Sequence, residues 1–478
     1  MICKIQVVMV GEDGREETRE LACLERTDLK PETLGLTLAE GKMILKDLQQ
    51  IVVERQVSNS LLPKRACPDC GQPRHSKGNH SLSMRTVFGQ LTVRTPRLHH
   101  CTCRPHQTKT FSPLAEMIPE HTSPELLFLE TKWASLMSYG MTSKLLQEVL
   151  PIDEPITTFT IRQHVADVAE RLERELGEEQ CCFIEGCQRD WDRLPPPDGP
   201  LTVGIDGGFI RAPRKEGHFE VIAGKSMLSF RRHEDGDEEE PAGKCFAFVQ
   251  TFDQKPKRRL FELLKNQGMQ DNQQIVFLSD GGEDVRNLQL YLNPQAEHLL
   301  DWFHVTMRLT VLTQTAKGLP ETVGEGEDQQ PLRSEVLKTL ESIKWYLWHG
   351  NVFQALRHLQ FVEMDLESAA FESQEETTRK LLKAVEEFST YIQRNRSFIP
   401  NYGERYRNGE RISTGFVESA VNQVISKRMA KKQQMQWTRR GAHLLLQVRT
   451  RVLNEEWEDV FRRWYPDFRL QQSMKAVA

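Results

Sequence analysis

The sequence predicts a mixed α/β core, preceded by a small metal-binding module and a helical domain and interrupted by an all-α insertion. Three observations carry this. Two short apolar runs, Leu201–Asp206 and Ile275–Asp280, each end on an aspartate and then meet Gly-Gly. Four cysteines upstream, Cys67, Cys70, Cys101 and Cys103, have metal-ligand spacing. A long stretch of helical periodicity, about 305–400, separates the second aspartate from a basic helix that starts near Glu418.

Length and composition set the frame. The chain has 478 residues, a length for about three domains. Its 38% hydrophobic and 27% charged residues are ordinary for a soluble globular protein. No apolar run approaches the ~18 residues needed to span a bilayer. Ile5–Val10 is too short for a signal peptide and is followed by acids. A cytoplasmic protein with no membrane partner is expected, and in that compartment the ten cysteines argue for metal or free thiols over disulfides. The net charge of −5 does not advertise a nucleic-acid binder, yet between Glu418 and Arg451 eight Lys or Arg face a single acid. Such local clusters, not total charge, make the electrostatic footprint for DNA. The acidic run 233–240 reads as a solvated loop.

Taken in order, residues 1–60 begin with a strand and continue into a helix over Leu38–Gln56. The 61–113 segment turns to Cys, His, Pro and short β runs, with a hairpin of Met84–Phe88 and Leu91–Arg94 about Gly89-Gln90. Residues 114–194 are helical: one helix from a Ser123 or Thr122 cap to Met137, a second over Ser143–Leu150, a third over Thr160–Leu176. The turn before the third allows a helix-turn-helix, and a plain helical domain fits equally. Pro195-Pro196-Pro197-Asp198-Gly199-Pro200 marks the clearest boundary. Beyond it, 200–304 predicts strands at 201–206, 219–229, 244–252, 275–280 and 297–303, with helices over Lys257–Asn266 and Asp284–Leu292. The insertion, 305–400, holds helices over Ser334–Trp348, Val352–Leu366 and Glu375–Ile392. Residues 401–460 return to the core with a helical segment from Gly415 to Glu456, and 461–478 form a tail.

The cysteines fit a structural zinc site. Zinc prefers four soft ligands in a tetrahedron, and two close pairs joined by a hairpin deliver them. Cys-x-Cys is less usual than Cys-x-x-Cys, so His100 or His106 could replace one ligand. Buried free cysteines are the plainer alternative. Cys181, Cys182 and Cys187 form a looser group with no assigned role.

The carboxylates suit divalent-cation chemistry. An Asp before Gly-Gly is, alone, an ordinary turn residue, but a charge at the end of a buried strand needs a partner. Asp206 and Asp280 on neighbouring strands, with Glu418 as a third ligand, could hold two Mg²⁺ ions and so activate an attacking hydroxyl and stabilise a leaving oxygen. Glu418 begins a helix that Ser413 or Thr414 can cap, with Val417, Val421 and Val424 as its apolar stripe. Asn422 lies one turn on. Lys427, Arg428, Lys431, Lys432, Arg439 and Arg440 then supply phosphate-binding cations; a solvated amphipathic helix is the bland reading. Glu404 and Glu410 precede the same helix, but their surroundings read as a loop. Asp301-Trp302-Phe303-His304 ends the last predicted strand; His304 could touch a DNA backbone with Asp301 orienting it, or be a satisfied core histidine.

Asp206-Gly207-Gly208, Ser279-Asp280-Gly281, Asp301-Trp302-Phe303-His304 and Val417-Glu418-Ser419-Ala420-Val421-Asn422, in that order and after Cys67-x-x-Cys70 and Cys101-x-Cys103, resemble bacterial insertion-sequence transposases with a DDE site, most closely the ISKra type. The resemblance covers about 61–455. It implies an RNase H-like core broken by an all-α insertion, behind a zinc-ribbon-like module and a helical DNA-end-binding domain. It implies Asp206, Asp280 and Glu418 as the catalytic triad, with two Mg²⁺ (or Mn²⁺) ions, and Asp301 and His304 as a match to the family's Cys/Asp-x-x-His motif, His304 being catalytic and Asp301 behind it. Trp437 and the helix after it match a Trp-containing stretch. The implied activity is cleavage and strand transfer at terminal inverted repeats, with double-stranded DNA as the partner (element ends and target), by a homo-oligomer in the bacterial nucleoid. Two alternatives stand beside it: a catalytically inactive, transposase-derived DNA-binding regulator, and an RNase H-like nuclease without strand transfer.

Overall fold

The structure, a computed structural model, describes residues 1–11, 14–103, 110–152, 154–180, 183–184, 187–197, 199–213, 216–228, 243–282, 296–323, 330–373, 375–430 and 435–469. The predicted helix Asp284–Leu292, the acidic run, His106, Cys181, Cys182, Lys431 and Lys432 lie outside the described residues. The chain divides into two compact units, 1–168 with 455–478, and 169–454. Among the described residues, no helix is long and apolar enough to cross a membrane.

The first unit opens with an antiparallel pair, β1 (Ile2–Val10) and β2 (Glu16–Glu25). The sequence does not announce β2, because most of its residues are exposed and apolar alternation is lost. Helix α1 (Leu38–Leu61) starts on a capping box: Thr37 Oγ1 accepts from the Glu40 amide at 3.2 Å, and the Glu40 carboxylate accepts from the Thr37 amide at 2.9 Å. Strands β3 (Ser76–Thr86), β4 (Gly89–His99) and β5 (Thr110–Phe111) form an antiparallel sheet. Its hairpin is longer than predicted and turns at Val87-Phe88, because the Thr86 hydroxyl accepts from the Phe88 amide and donates to the Gly89 carbonyl. Val57 and Leu61 of α1 pack with Leu82, Val93 and Leu114, the last on α2 (Pro113–Met117). Helices α3 (Pro124–Leu136) and α4 (Tyr139–Val149) begin on Ser123 and Ser138, and α5 (Thr158–Glu175) runs across the division between the units.

The second unit holds a short α6 (Gln188–Trp191) and then a five-stranded mixed sheet. Its strands are β6 (Leu201–Arg211), β7 (His218–Leu228), β8 (Lys244–Val249), β9 (Ile275–Ser279) and β10 (Glu297–Leu300), in the spatial order β10-β9-β6-β7-β8. The first three make an antiparallel meander; β9 and β10 add in parallel on the other side of β6. Gly207-Gly208 does not end β6, as the sequence suggested. The strand stays paired through it, with Asp206 opposite Ala223 and Gly208 opposite Val221.

Alternation along β6 explains why. Leu201, Val203 and Ile205 point to one face, where Leu260, Leu263 and Leu264 of α7 (Pro256–Asn266) cover them. Gly204, Asp206 and Gly208 point to the other.

That second face carries the C-terminal helices. After β10, Asp301 caps α8 (Trp302–Ala316), so the Asp301–His304 motif begins a helix and does not end a strand. Past the short pair β11 (Thr322–Val323) and β12 (Gln330–Pro331), α9 (Arg333–Trp348), α10 (Val352–Ser373) and α11 (Glu376–Arg394) share one apolar core with α8. Buried Tyr402, on α12 (Tyr402–Arg407), donates to the Leu300 carbonyl at 2.7 Å. Glu404 therefore sits on a helix, not in the expected loop. Then α13 (Gly415–Val421) passes into a π-helical segment, Asn422–Ala430, and α14 (Arg439–Leu453) follows. The helical segment expected over Gly415–Glu456 thus comprises α13, the π-helical stretch and α14 among the described residues. The Arg449 guanidinium donates to the Val424 carbonyl at 2.8 Å, one of the groups the wider turn leaves open. The last helix, α15 (Trp457–Trp464), belongs to the first unit, where Trp457 donates to the Phe128 carbonyl at 3.4 Å.

The two glycines let α13 lie close on the sheet. A Cβ on Gly204 would overlap Val417, and one on Gly208 would meet Ile425 Cδ1 at 2.9 Å. Gly204→Ala should therefore lower stability by about 1–3 kcal/mol, the usual effect of overpacking. Gly41→Ala, on α1 with open space around it, should be neutral or raise stability by up to about 1 kcal/mol. Thermal melts of both variants check this; equal Tm values would contradict the close approach.

Candidate functional site

Asp206 and Asp280 come together through strand register. Gly204 stands opposite Leu278 in the parallel pairing of β6 with β9. Two residues further on each strand lie Asp206 and Asp280, at adjacent positions on neighbouring strands and, by alternation, on the same face. Leu278 confirms that face, since it packs with Phe416 of α13. Asp206 is half-buried; Asp280 is exposed just beyond the end of β9. Burial pushes the Asp206 carboxyl up from its ordinary acidity. The Gly207 amide and His304 oppose that rise, and the charges of Asp280 and Asp301 add to it.

Asp280 sits on a turn that its own side chain helps close, accepting from the Gly282 amide at 3.0 Å. Gly281 has φ +89°, and a Cβ there would press on Asn395. The Asp280 carbonyl accepts from the Tyr391 hydroxyl at 3.0 Å.

Asp301 is fully buried and saturated. It accepts from the Phe303 amide at 2.9 Å, the Thr414 amide at 2.9 Å, the Thr414 hydroxyl and His304 Nδ1 at 2.7 Å. Thr414 therefore gives its hydroxyl to Asp301 and does not cap α13 with its side chain. His304 stands on the first turn of α8 with Nδ1 committed, which leaves Nε2 as its other face. Burial acts to lower its pKa, but the hydrogen bond and charge of Asp301, with the charges of Asp206 and Asp280, raise it overall. Four of the predicted side chains, Asp206, Asp280, Asp301 and His304, thus share one electrostatic site.

Glu418 lies on the helix that covers this face, directly after Val417. It is exposed, and its carboxylate has no hydrogen-bond or ion-pair partner among the described residues. Its carboxylate is not gathered with those of Asp206 and Asp280 as tightly as the clusters below, whose ligand atoms all lie within 4.8 Å of one another. The excess negative charge around half-buried Asp206 is the surrounding that a divalent cation neutralises, and the all-oxygen donor set suits Mg²⁺ or Mn²⁺.

The predicted phosphate-binding residues divide. Lys427 is exposed and Asn422 half-buried. Arg428 is a correction: it is 4% exposed, with its guanidinium over the Trp437 ring at 5.1 Å, so it packs the segment. Arg439 pairs with Glu216 at 3.5 Å and stacks on Phe219, and Arg440 pairs with Glu170. Glu410 is bound to Arg405 at 2.7 Å, an exposed ion pair as expected.

An open cavity of about 790 Å³ beside Asp280 is lined by Arg308, Lys383, Tyr391, Arg394 and Asn395, with Glu386 and Glu387 on its wall. The Arg308 guanidinium lies 4.3 Å from the Tyr391 ring centre. Sequence reasoning missed these residues because they come from α8 and α11, and no local motif links them to Asp280.

In the first unit the four cysteines converge. Cys67 Sγ lies 3.6 Å from Cys103 Sγ, and Cys70 Sγ 3.4 Å from Cys101 Sγ. A tetrahedron with Zn–S of ~2.3 Å places its sulfurs ~3.8 Å apart, so the cage fits zinc with little movement. Amides hold the first pair: Cys67 accepts from those of Cys70 and Asp69, which bring its thiol down to about 6. Gly71 closes the knuckle at φ +73°. His100 stacks on Phe111 at 4.4 Å and is no part of the cage. Cys187 is exposed, bonded to Asp190.

A second group, Glu173, Asp253 and His443, also has ligand atoms within 4.8 Å. A guanidinium already supplies the positive charge there. Buried Arg259 donates to Asp253 at 2.9 and 3.0 Å and to Glu173 at 2.9 and 3.1 Å. The group is a salt-bridge network that joins α5, α7 and α14.

Comparison of the chain with protein-family models and with curated proteins finds no match.

Two outcomes test the site's construction. Cys67→Ser or Cys103→Ser should remove about one zinc per chain and loosen the 61–113 segment, because metal binding there supplies folding free energy; elemental analysis of protein purified without chelator checks it, and zinc retained in both variants would disprove the cage. Asp301→Ala should lower stability by about 2–4 kcal/mol, since it strands the Phe303 and Thr414 amides, the Thr414 hydroxyl and His304 Nδ1. A loss below 1 kcal/mol in urea titration would show that Asp301 does not hold α8 to α13.

Proposed function

We propose that this protein is a DNA transposase of the DDE kind, cutting and joining DNA at the ends of its own element. One observation carries the reading: Asp206 in β6 and Asp280, just past the end of the parallel strand β9, come together on the sheet face covered by the helix that bears Glu418. The mixed sheet, and the mainly helical segment with its short β11–β12 pair between β10 and Glu418, support the RNase H-like core that the motif resemblance implies.

Asp206, Asp280 and Glu418 would hold Mg²⁺ or Mn²⁺, which supplies activation of the attacking water or 3′-hydroxyl and stabilisation of the leaving 3′-oxygen. The remaining work falls to the chain. Asp206, fixed in mid-strand between two glycines, is the rigid member. Asp280 is carried on a tight turn and Glu418 on a helix, so the three carboxylates come from three different elements. Asp301 raises the His304 pKa and orients its ring, so that Nε2 can meet a phosphate oxygen or the departing 3′-oxygen. Arg308, Lys383 and Arg394 line the cavity beside Asp280, where strand phosphates can follow the insertion. The cysteine cage, taken as a zinc site, would fold the 61–113 module and has no part in the chemistry.

The test is direct. Duplexes carrying the DNA that flanks the protein's own gene are incubated with Mg²⁺, and cut positions are mapped. Asp206→Asn, Asp280→Asn and Glu418→Gln should each abolish cleavage and leave binding within a few-fold, because phosphate and base contacts are made elsewhere. Glu404→Gln and Glu410→Gln should stay active. A tenth of wild-type cleavage in any triad variant would remove that residue from the site. Cleavage without joining of the 3′ end to a second duplex would favour the nuclease reading.

A further inference from the structure

A second open groove, of about 600 Å³, lies in the first unit between α1 and the β3–β4 hairpin. We propose that it binds the phosphate backbone of duplex DNA. The choice of DNA as the polyanion rests on the function proposed above; the charge argument stands without it.

The groove is lined by Arg55, Ser58 and Asn59 of α1, Arg65 just past it, and Asn79, Thr92 and Arg94 of the hairpin. The three arginines are exposed and have no side-chain partner among the described residues. They are spread over three elements, so the positive charge spans the groove. The single carboxylate on its wall, Glu54, is engaged elsewhere, 2.7 Å from the Gln50 amide nitrogen and 3.7 Å from an Arg19 nitrogen. The hairpin face beside Arg94 presents Ser81 opposite Arg94 and Ser83 opposite Thr92, small hydroxyl residues that donate to phosphate oxygens without crowding them.

Composition points the same way. Between residues 61 and 103 seven Lys or Arg accompany one acid, in a chain whose net charge is −5. Lys64 and Lys77 are exposed in the same segment. The cysteine cage fixes the groove's edge: the Arg65 carbonyl accepts from the Arg74 amide at 2.7 Å, two residues before Cys67. Val57, Leu61, Leu62, Val93 and Pro96 also line the groove, but it is open, and a repeating polyanion meets its three arginines at once.

The test uses full-length protein carrying Asp206→Asn, so that cleavage plays no part, with no added divalent cation. Anisotropy of a fluorescein-labelled duplex of arbitrary sequence is followed over a KCl series, with and without the triple change Arg55→Ala, Arg65→Ala and Arg94→Ala. Each phosphate contact contributes about 0.9 to the slope of log K against log salt, so three lost contacts should flatten it by about 2.7. The charge-keeping triple Arg→Lys variant should retain most of the slope. Zinc content and Tm of the alanine triple are measured alongside, and both should match the parent. An unchanged slope in a folded, zinc-loaded triple variant overturns the proposal. So does a parent protein that prefers duplex RNA and loses that preference with the three arginines. Failure of the cleavage test with a positive result here would leave the groove standing and remove only the transposase reading.

Discussion

One buried carboxylate holds the core of the second unit in place. Asp301 follows β10 and caps α8, and its two oxygens accept from α8's own amide, from His304 and from both donors of Thr414. Its amide donates to the Ser279 carbonyl at 2.9 Å, directly before Asp280. A single side chain so fixes the strand end beside Asp280, the orientation of His304, and the entry to the helix bearing Glu418. An ion this deep is tolerated only when every lone pair is used. The bonds that make its burial affordable are the ones that position the site.

Space is the second constraint. A strand that must carry a carboxylate under a helix needs room on both sides of it, and β6 provides this with Gly204 and Gly208. Val417, Val421 and Ile425 then fill the two gaps. Asp206 is the only side chain longer than a hydrogen among those three positions, so β6 offers one functional group on that face. The π-helical segment that follows is consistent with this. Wider turns recur at functional sites, where regular helix geometry would misplace a side chain.

Much of this was legible in the sequence, and what was not has physical causes. The apolar runs before Asp206 and Asp280 identified two strands because buried strands need continuous apolar residues on both faces. The insertion's helices were readable from their period. Gly207-Gly208 misled, since glycine signals a break in isolation and a close approach in context; only the partner, Val421 with Ile425, decides which. Asp301 was placed at a strand end because Trp302 and Phe303 favour strands. Its capping of the Phe303 amide settled the matter, and capping residues and strand-ending residues are the same types. Arg428 looked like a DNA contact because charge pattern does not reveal that Trp437 lies beneath it. Arg259 also bonds Gln447, 188 positions away in sequence, a separation no local pattern encodes.

The two metal-capable clusters show why residue type alone is a weak guide. Glu173, Asp253 and His443 have the donors of a zinc or manganese site, but Arg259 already lies among them. Burial raises the Glu173 carboxyl, and His443 and Arg259 more than reverse that, bringing it down to about 2. The charge there is balanced, and an added dication would have to expel a guanidinium held by four hydrogen bonds. At Cys67, Cys70, Cys101 and Cys103 no cation competes. At Asp206 the neighbouring negative charges outnumber the one imidazole that opposes them, and Glu418 stands exposed on the covering helix. Of the three, the first is complete as it is. The other two hold no such built-in cation: the four thiols could take a zinc ion, and the carboxylates around Asp206 leave negative charge in excess.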